Sequence, residues 1–141
     1  MSTTRRIAGS VAAAAVAFGA LDAVWISQVA LPLYRAEVPH LMASSFDPVP
    51  ALVFYPAFTC ALVHLAVRPT EDRTLGVRLR DGALLGGIGY ATWSLTGKAI
   101  LERMTWPVAL ADIGWGLFVG AAMAGAAHLV LTSRWANRSS R

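Results

Sequence analysis

From Ile7 to Leu31 the chain carries one ionisable residue, Asp22. A run of that length and apolarity matches the roughly 20 helical residues needed to cross the hydrocarbon core of a bilayer, where backbone N–H and C=O groups find no water and must pair within their own helix. Three further runs have the same character: 48–67 contains only His64, 82–101 only Lys98, and 107–131 only Asp112 and His128. Of 141 residues, 56% are hydrophobic and 14% charged, with a mean hydropathy of +0.54. The charged fraction falls well below the roughly 25% usual in soluble domains, so a soluble enzyme is excluded as the reading.

The boundaries come from local chemistry. Pro32 has no N–H to continue a helical ladder, so the first span is expected to end at Leu31. Asp47-Pro48 gives the second span a capping carboxylate and a proline suited to the first helical turn, Pro56 predicts a kink within it, and Arg68-Pro69 stops it. Thr132 and Ser133 begin a polar tail. The expected architecture is all-α and integral to the membrane: an antiparallel four-transmembrane-helix bundle with spans at about 7–31, 48–67, 82–101 and 107–131 and a cytoplasmic tail at 132–141. One domain uses the whole length, and the connections leave no room for a soluble one.

Arginine placement sets the orientation. Arg5, Arg6, Arg68, Arg73, Arg78, Arg80, Arg134, Arg138 and Arg141 flank one side, and only Arg35 and Arg103 flank the other. Positively charged flanks stay in the cytoplasm, so both termini are expected there, in a multi-pass protein of a bacterial inner membrane. The basic net charge, +4, is thereby explained by topology near anionic lipid, and no nucleic-acid partner is expected. Arg5-Arg6 and the alanine-rich run behind them also match the start of a cleavable signal peptide with a small-residue site near Gly19-Ala20. The apolar run outlasts the roughly 7–15 residues of a signal core, and it is read as a retained span.

Ionisable side chains within a span are costly unless paired or solvated, which makes each a functional candidate. With a rise of about 1.5 Å per residue, Asp22 and Asp112 both fall about 22 Å from the cytoplasmic edge, and Lys98 at about 24 Å. A charged layer in the outer half of the membrane follows. Asp22-x-x-Trp25 and Asp112-x-x-Trp115 each place a carboxylate and an indole on one helix face. Tyr55, Tyr90, Thr92, Trp93, Ser94 and Thr96 add hydroxyls and aromatic surface. The candidate binding residues are therefore Asp22, Trp25, Tyr55, Tyr90, Trp93, Lys98, Asp112 and Trp115. Two readings of the charge stay open. Facing acids could exchange a proton with a ligand or ion, or Lys98 could pair with them and tie the helices together. Lys98 could equally extend to the outer interface beside Glu102.

Gly82-x-x-x-Gly86 and Gly116-x-x-x-Gly120, with Ala122 and Ala126 further on, offer small faces for close helix approach. Cys60 and His64 lie one turn apart but lack further metal ligands, and the single cysteine excludes a disulfide. No phosphate-binding loop, zinc-protease helix, serine-hydrolase elbow or dinucleotide fingerprint is present, so neither a cofactor nor a metal is expected.

Taken in order, Leu21-Asp22-x-x-Trp25, Tyr34-Arg35, Phe54-Tyr55, Gly89-Tyr90-x-Thr92 with Leu95-Thr96, Trp106-Pro107 and Asp112-x-x-Trp115-Gly116 resemble a bacterial family of small four-span membrane proteins catalogued as domain of unknown function 2177. In that family the third span usually reads closer to tyrosine, aspartate, leucine, threonine, asparagine; here Trp93 and Ser94 stand for the tyrosine and aspartate, and Gly97 for the asparagine. The resemblance implies the membrane fold and supplies no activity. The leading expectation is a non-enzymatic protein whose polar layer binds or transports a small solute, a lipid headgroup or a proton. Its expected partners are membrane lipid, a small-molecule ligand and a second copy in a homodimer. The alternatives are a membrane enzyme using Asp22 and Asp112 as acid and base on a lipid or isoprenoid-like substrate, and an accessory subunit whose small-residue faces pack on another membrane protein.

Overall fold

Each apolar run folds as helix, because only intrahelical pairing satisfies its backbone away from water. The computed structural model describes residues 2–136, with helices α1 (Thr3–Trp25), α2 (Leu31–Glu37), α3 (Val49–Leu62), α4 (Leu75–Ile100) and α5 (Trp106–Ala136). No strand occurs among the described residues. Ser2 and Thr74 cap α1 and α4, their side chains accepting the N–H groups of Arg5 and Val77. Asp47 accepts the Val49 N–H at 2.9 Å just ahead of α3, but the cap position itself is Pro48, one residue later than the sequence suggests.

Two boundaries differ further from expectation. The first helical run does not end at Pro32. A π-helical turn at Ile26–Ala30 joins α1 to α2, the Leu31 N–H reaches back to the Ile26 carbonyl, and Pro32 falls in the first turn of α2, where a missing N–H costs little. The run thus continues to Glu37. At the other end α5 carries on through Thr132 and Ser133 to Ala136, so the expected tail is helical where it is described; residues 137–141 lie outside the described residues. A second π-helical turn, Val63–Val67, extends α3 to the expected stop, where Arg68 takes a left-handed φ of 46°.

Three helical runs are long and apolar enough to cross a membrane: Thr3–Glu37, Val49–Val67 and Trp106–Ser133. The expected third span, 82–101, falls in α4 except for Leu101, which caps its end; α4 is long enough at 26 residues but is not among those three. Its run mixes glycines with Thr92, Ser94, Thr96 and Lys98, which lowers its apolarity, and the glycines serve its packing. A Cβ on Gly82 would meet the carbonyl of Gly120, and one on Gly86 the carbonyl of Gly116; Gly116 and Gly120 meet Gly86 and Gly82 in return. The two small-residue motifs therefore face each other in one antiparallel contact, continued by Ala124, whose Cβ would lie 2.8 Å from a Cβ at Gly82. Helix α5 also packs antiparallel on α1, and α3 lies antiparallel to α1 through Phe18, Tyr55 and Phe58.

The main core joins Phe18, Leu62, Val119 and Met123 beneath this packing. A separate small core of Val38, Met104 and Val108, with Leu33, Tyr34 and Leu101 against it, fixes the end of α2 onto the start of α5. At the opposite end Arg6, Arg73 and Arg78 bond the carbonyls of Pro69, Ala66 and Val67, which ties the 68–74 loop to α1 and α4. Arg73 also grips Asp81 at 2.6 Å, and Arg73 and then Arg80 hold that carboxyl below its ordinary range. Large apolar side chains such as Val16, Leu52, Ile88 and Leu129 point outward.

Candidate functional site

A carboxylate in an apolar interior needs donors, and the structure gives each acid two from other helices. Asp22, on α1, is 5% exposed. Its Oδ1 accepts the indole N–H of Trp115 from α5 at 2.9 Å, and its Oδ2 accepts the hydroxyl of Tyr55 from α3. Asp112, on α5, is 6% exposed. Its Oδ2 accepts both the Tyr34 hydroxyl from α2 and the Ser94 hydroxyl from α4, the latter at 3.3 Å. Its Oδ1 accepts no hydrogen bond from any described residue. The donors are all neutral, so none of them supplies a counter-charge to either acid.

The indoles that follow the acids by one turn stack on each other. Trp25 and Trp115 lie with ring centroids 4.7 Å apart and planes 3° from parallel. This stack locks the rotamer of Trp115 and so aims its N–H at Asp22. Phe18 stacks on Tyr55 at 4.5 Å and does the same for the second donor.

Both acids line one cavity of about 290 Å³, walled also by Trp25, Tyr34, Tyr90 and Trp93. Of the sequence candidates, Asp22, Trp25, Tyr90, Trp93 and Asp112 meet at this cavity, while Tyr55 and Trp115 reach Asp22 from behind it. Lys98 does not join them. Its ammonium lies 5.6 Å over the ring of Trp106 and makes no ion pair with a described residue. The lysine–acid pairing, one of the readings left open by the sequence, is absent among the described residues, because Lys98 sits at the last turn of α4 and its long side chain leads toward the start of α5. Thr92 turns its hydroxyl back to the Ile88 carbonyl.

Sequence reasoning missed the part played by Tyr34. Ending the first span at Leu31 put that residue in a loop; the helical continuation through the π-turn brings it onto Asp112. The Tyr34-Arg35 pair in the family resemblance was the available signal. A second cluster also went unread. Buried Arg78, 3% exposed, reaches the ring of His128 at 2.7 Å and the carbonyls of Val67 and Glu71. Cys60 is exposed, and no group of three metal-ligating side chains occurs among the described residues.

Apolar helices long enough to cross a bilayer, packed around buried and neutrally solvated acids, define a helical membrane protein with a polar interior site. The chain belongs to the family described as predicted membrane protein, domain of unknown function 2177, whose model matches residues 7–129. Every residue of the acid pocket falls within that match. No curated protein and no solved structure is significantly similar to it.

Proposed function

We propose that this is a four-span protein of a bacterial inner membrane, with both termini cytoplasmic, that binds a small solute in the pocket between Asp22 and Asp112. Helix α4 crosses with the others on this reading. At about 1.5 Å per residue its 26 residues are long enough, and its glycine face runs antiparallel along α5, itself long and apolar enough to cross. The observation that carries the binding function is the open oxygen of Asp112 beside a cavity that Asp22 shares. A structural ion pair would have joined these acids to Lys98, which lies elsewhere. The glycine faces that an accessory subunit would present to a partner are occupied within the chain itself.

Native mass spectrometry of the protein in mild detergent tests this directly, wild type beside Asp22→Asn and Asp112→Asn. The expected spectrum shows a small molecule retained by the wild type and lost from both variants, together with the number of copies per particle. A ligand-free wild type, with both variants equally intact, would overturn the binding function and leave the acids a structural role.

A further inference from the structure

We propose that the pocket takes a small quaternary ammonium group, held between the two carboxylates and the ring faces of Trp25, Tyr90 and Trp93. This rests on the binding function above and names its ligand class.

Charge comes first. The cavity wall contains Asp22 and Asp112 but no lysine, arginine or histidine. Lys98, five residues beyond Trp93, is held over Trp106, and Arg35, next to Tyr34, is exposed and not part of the wall. An ionised acid in a low-dielectric layer without a counter-charge in the wall favours a cationic occupant, since an uncompensated buried charge is expensive.

Hydrogen-bonding capacity then selects among cations. Three of the four carboxylate oxygens are already engaged or shared: both oxygens of Asp22, and Oδ2 of Asp112, which accepts from two hydroxyls. Only Oδ1 of Asp112 accepts nothing from the described residues. A primary ammonium brings three N–H donors that must each find an acceptor, and the wall is mostly apolar. A quaternary ammonium brings none. An inorganic divalent cation would need six or so oxygen ligands, and the wall offers mostly carbon.

Aromatic surface fits the same ligand. A quaternary ammonium is bound through ring faces, whose negative quadrupoles attract a cation with no hydrogen bond required. Trp93 keeps 55% of its surface exposed, and Tyr90 is partly buried, so both have surface to offer. Trp25 gives one face to Trp115, leaving the other. The cavity, about 290 Å³, suits a trimethylammonium group with a short tail. Such a group can belong to a free solute or to a lipid headgroup entering from the membrane.

The test uses the full chain in maltoside, with labelled choline as the probe, followed by equilibrium dialysis and tryptophan fluorescence. The uncharged isostere 3,3-dimethylbutan-1-ol is the competitor. The expected result is saturable choline binding that the isostere displaces at least about tenfold less well. Asp112→Asn should weaken binding by about tenfold or more. Trp93→Leu, at a half-exposed position, should weaken it severalfold while the melting curve stays within a few degrees of wild type. In nanodiscs of phosphatidylglycerol, added phosphatidylcholine competes if the headgroup is a source and has no effect if only the free solute binds; choline binding supports the proposal in both cases. Equal binding of choline and its isostere would overturn the ammonium class while leaving the pocket a binding site. So would failure of choline where native mass spectrometry shows another molecule held by the acids. No choline bound and no molecule retained would overturn both.

Discussion

At the scale of single residues, the site depends on neutral donors supplied by distant parts of the chain. Tyr55 and Trp115 hold Asp22, and Tyr34 and Ser94 hold Asp112. Removing one hydroxyl leaves a buried carboxylate oxygen short of a partner, which costs about 1–3 kcal/mol. Tyr55→Phe is therefore expected to lower thermal stability in detergent by that amount, read from a melting curve, whereas Thr92→Val, whose hydroxyl only returns to its own helix, should change it little. The reverse case is Ser10, fully buried with no partner for its hydroxyl among the described residues. Ser10→Ala should leave stability unchanged or raise it by up to about 1 kcal/mol, because it removes an unmet polar group. The acids and their tryptophans were readable in the sequence, since a charge inside an apolar run is conspicuous and one helical turn is a fixed spacing. The donors were not. A tyrosine in an apolar segment gives no sign of whether its hydroxyl finds an acid, and that depends on which helices meet.

At the scale of elements, glycine placement decides how closely α4 and α5 approach. A Cβ on Gly116 would lie 2.7 Å from the Cβ of Tyr90 and press on the Gly86 carbonyl, while one on Gly114, two residues earlier, would meet nothing within 4 Å. Gly116→Ala should destabilise the protein by about 1–3 kcal/mol, since backbone cannot yield as a flexible side chain can. Gly114→Ala should be neutral, or stabilising by about 0.5–1 kcal/mol through helix propensity. The pair is checked by parallel unfolding curves, and equal effects would mean that the glycine contact is not tight. Both motifs stood out in the sequence, but their mutual pairing did not, because spacing along one helix carries no information about the facing one. Pro32 shows the opposite difficulty. Proline ends a regular helix on local grounds, yet a π-turn just before it changes the hydrogen-bond register and lets the helix resume, carrying Tyr34 to Asp112.

At the scale of the whole molecule, arginine bias and tertiary contacts agree on two ends. His40 reaches the Glu102 carbonyl at 3.3 Å, and Val38 packs with Met104, so the 38–48 and 101–105 connections lie at one end. Arg6 binds the Pro69 carbonyl at 2.7 Å, which puts the N-terminus and the 68–74 loop at the other. The second end holds the dense arginines, and it is the end that the proposed orientation places in the cytoplasm. Single-cysteine labelling tests both the orientation and the crossing of α4. Cys60 is the sole cysteine, so Cys60→Ala gives a silent background. In intact cells a membrane-impermeant maleimide should label Ser44→Cys and Glu102→Cys, and should label Thr70→Cys only after permeabilisation. Inverted accessibility at all three sites would reverse the orientation and keep the fold. Labelling of Glu102→Cys together with Thr70→Cys, and apart from Ser44→Cys, would mean that α4 does not cross, and it would contradict the contact between His40 and the Glu102 carbonyl at the opposite end.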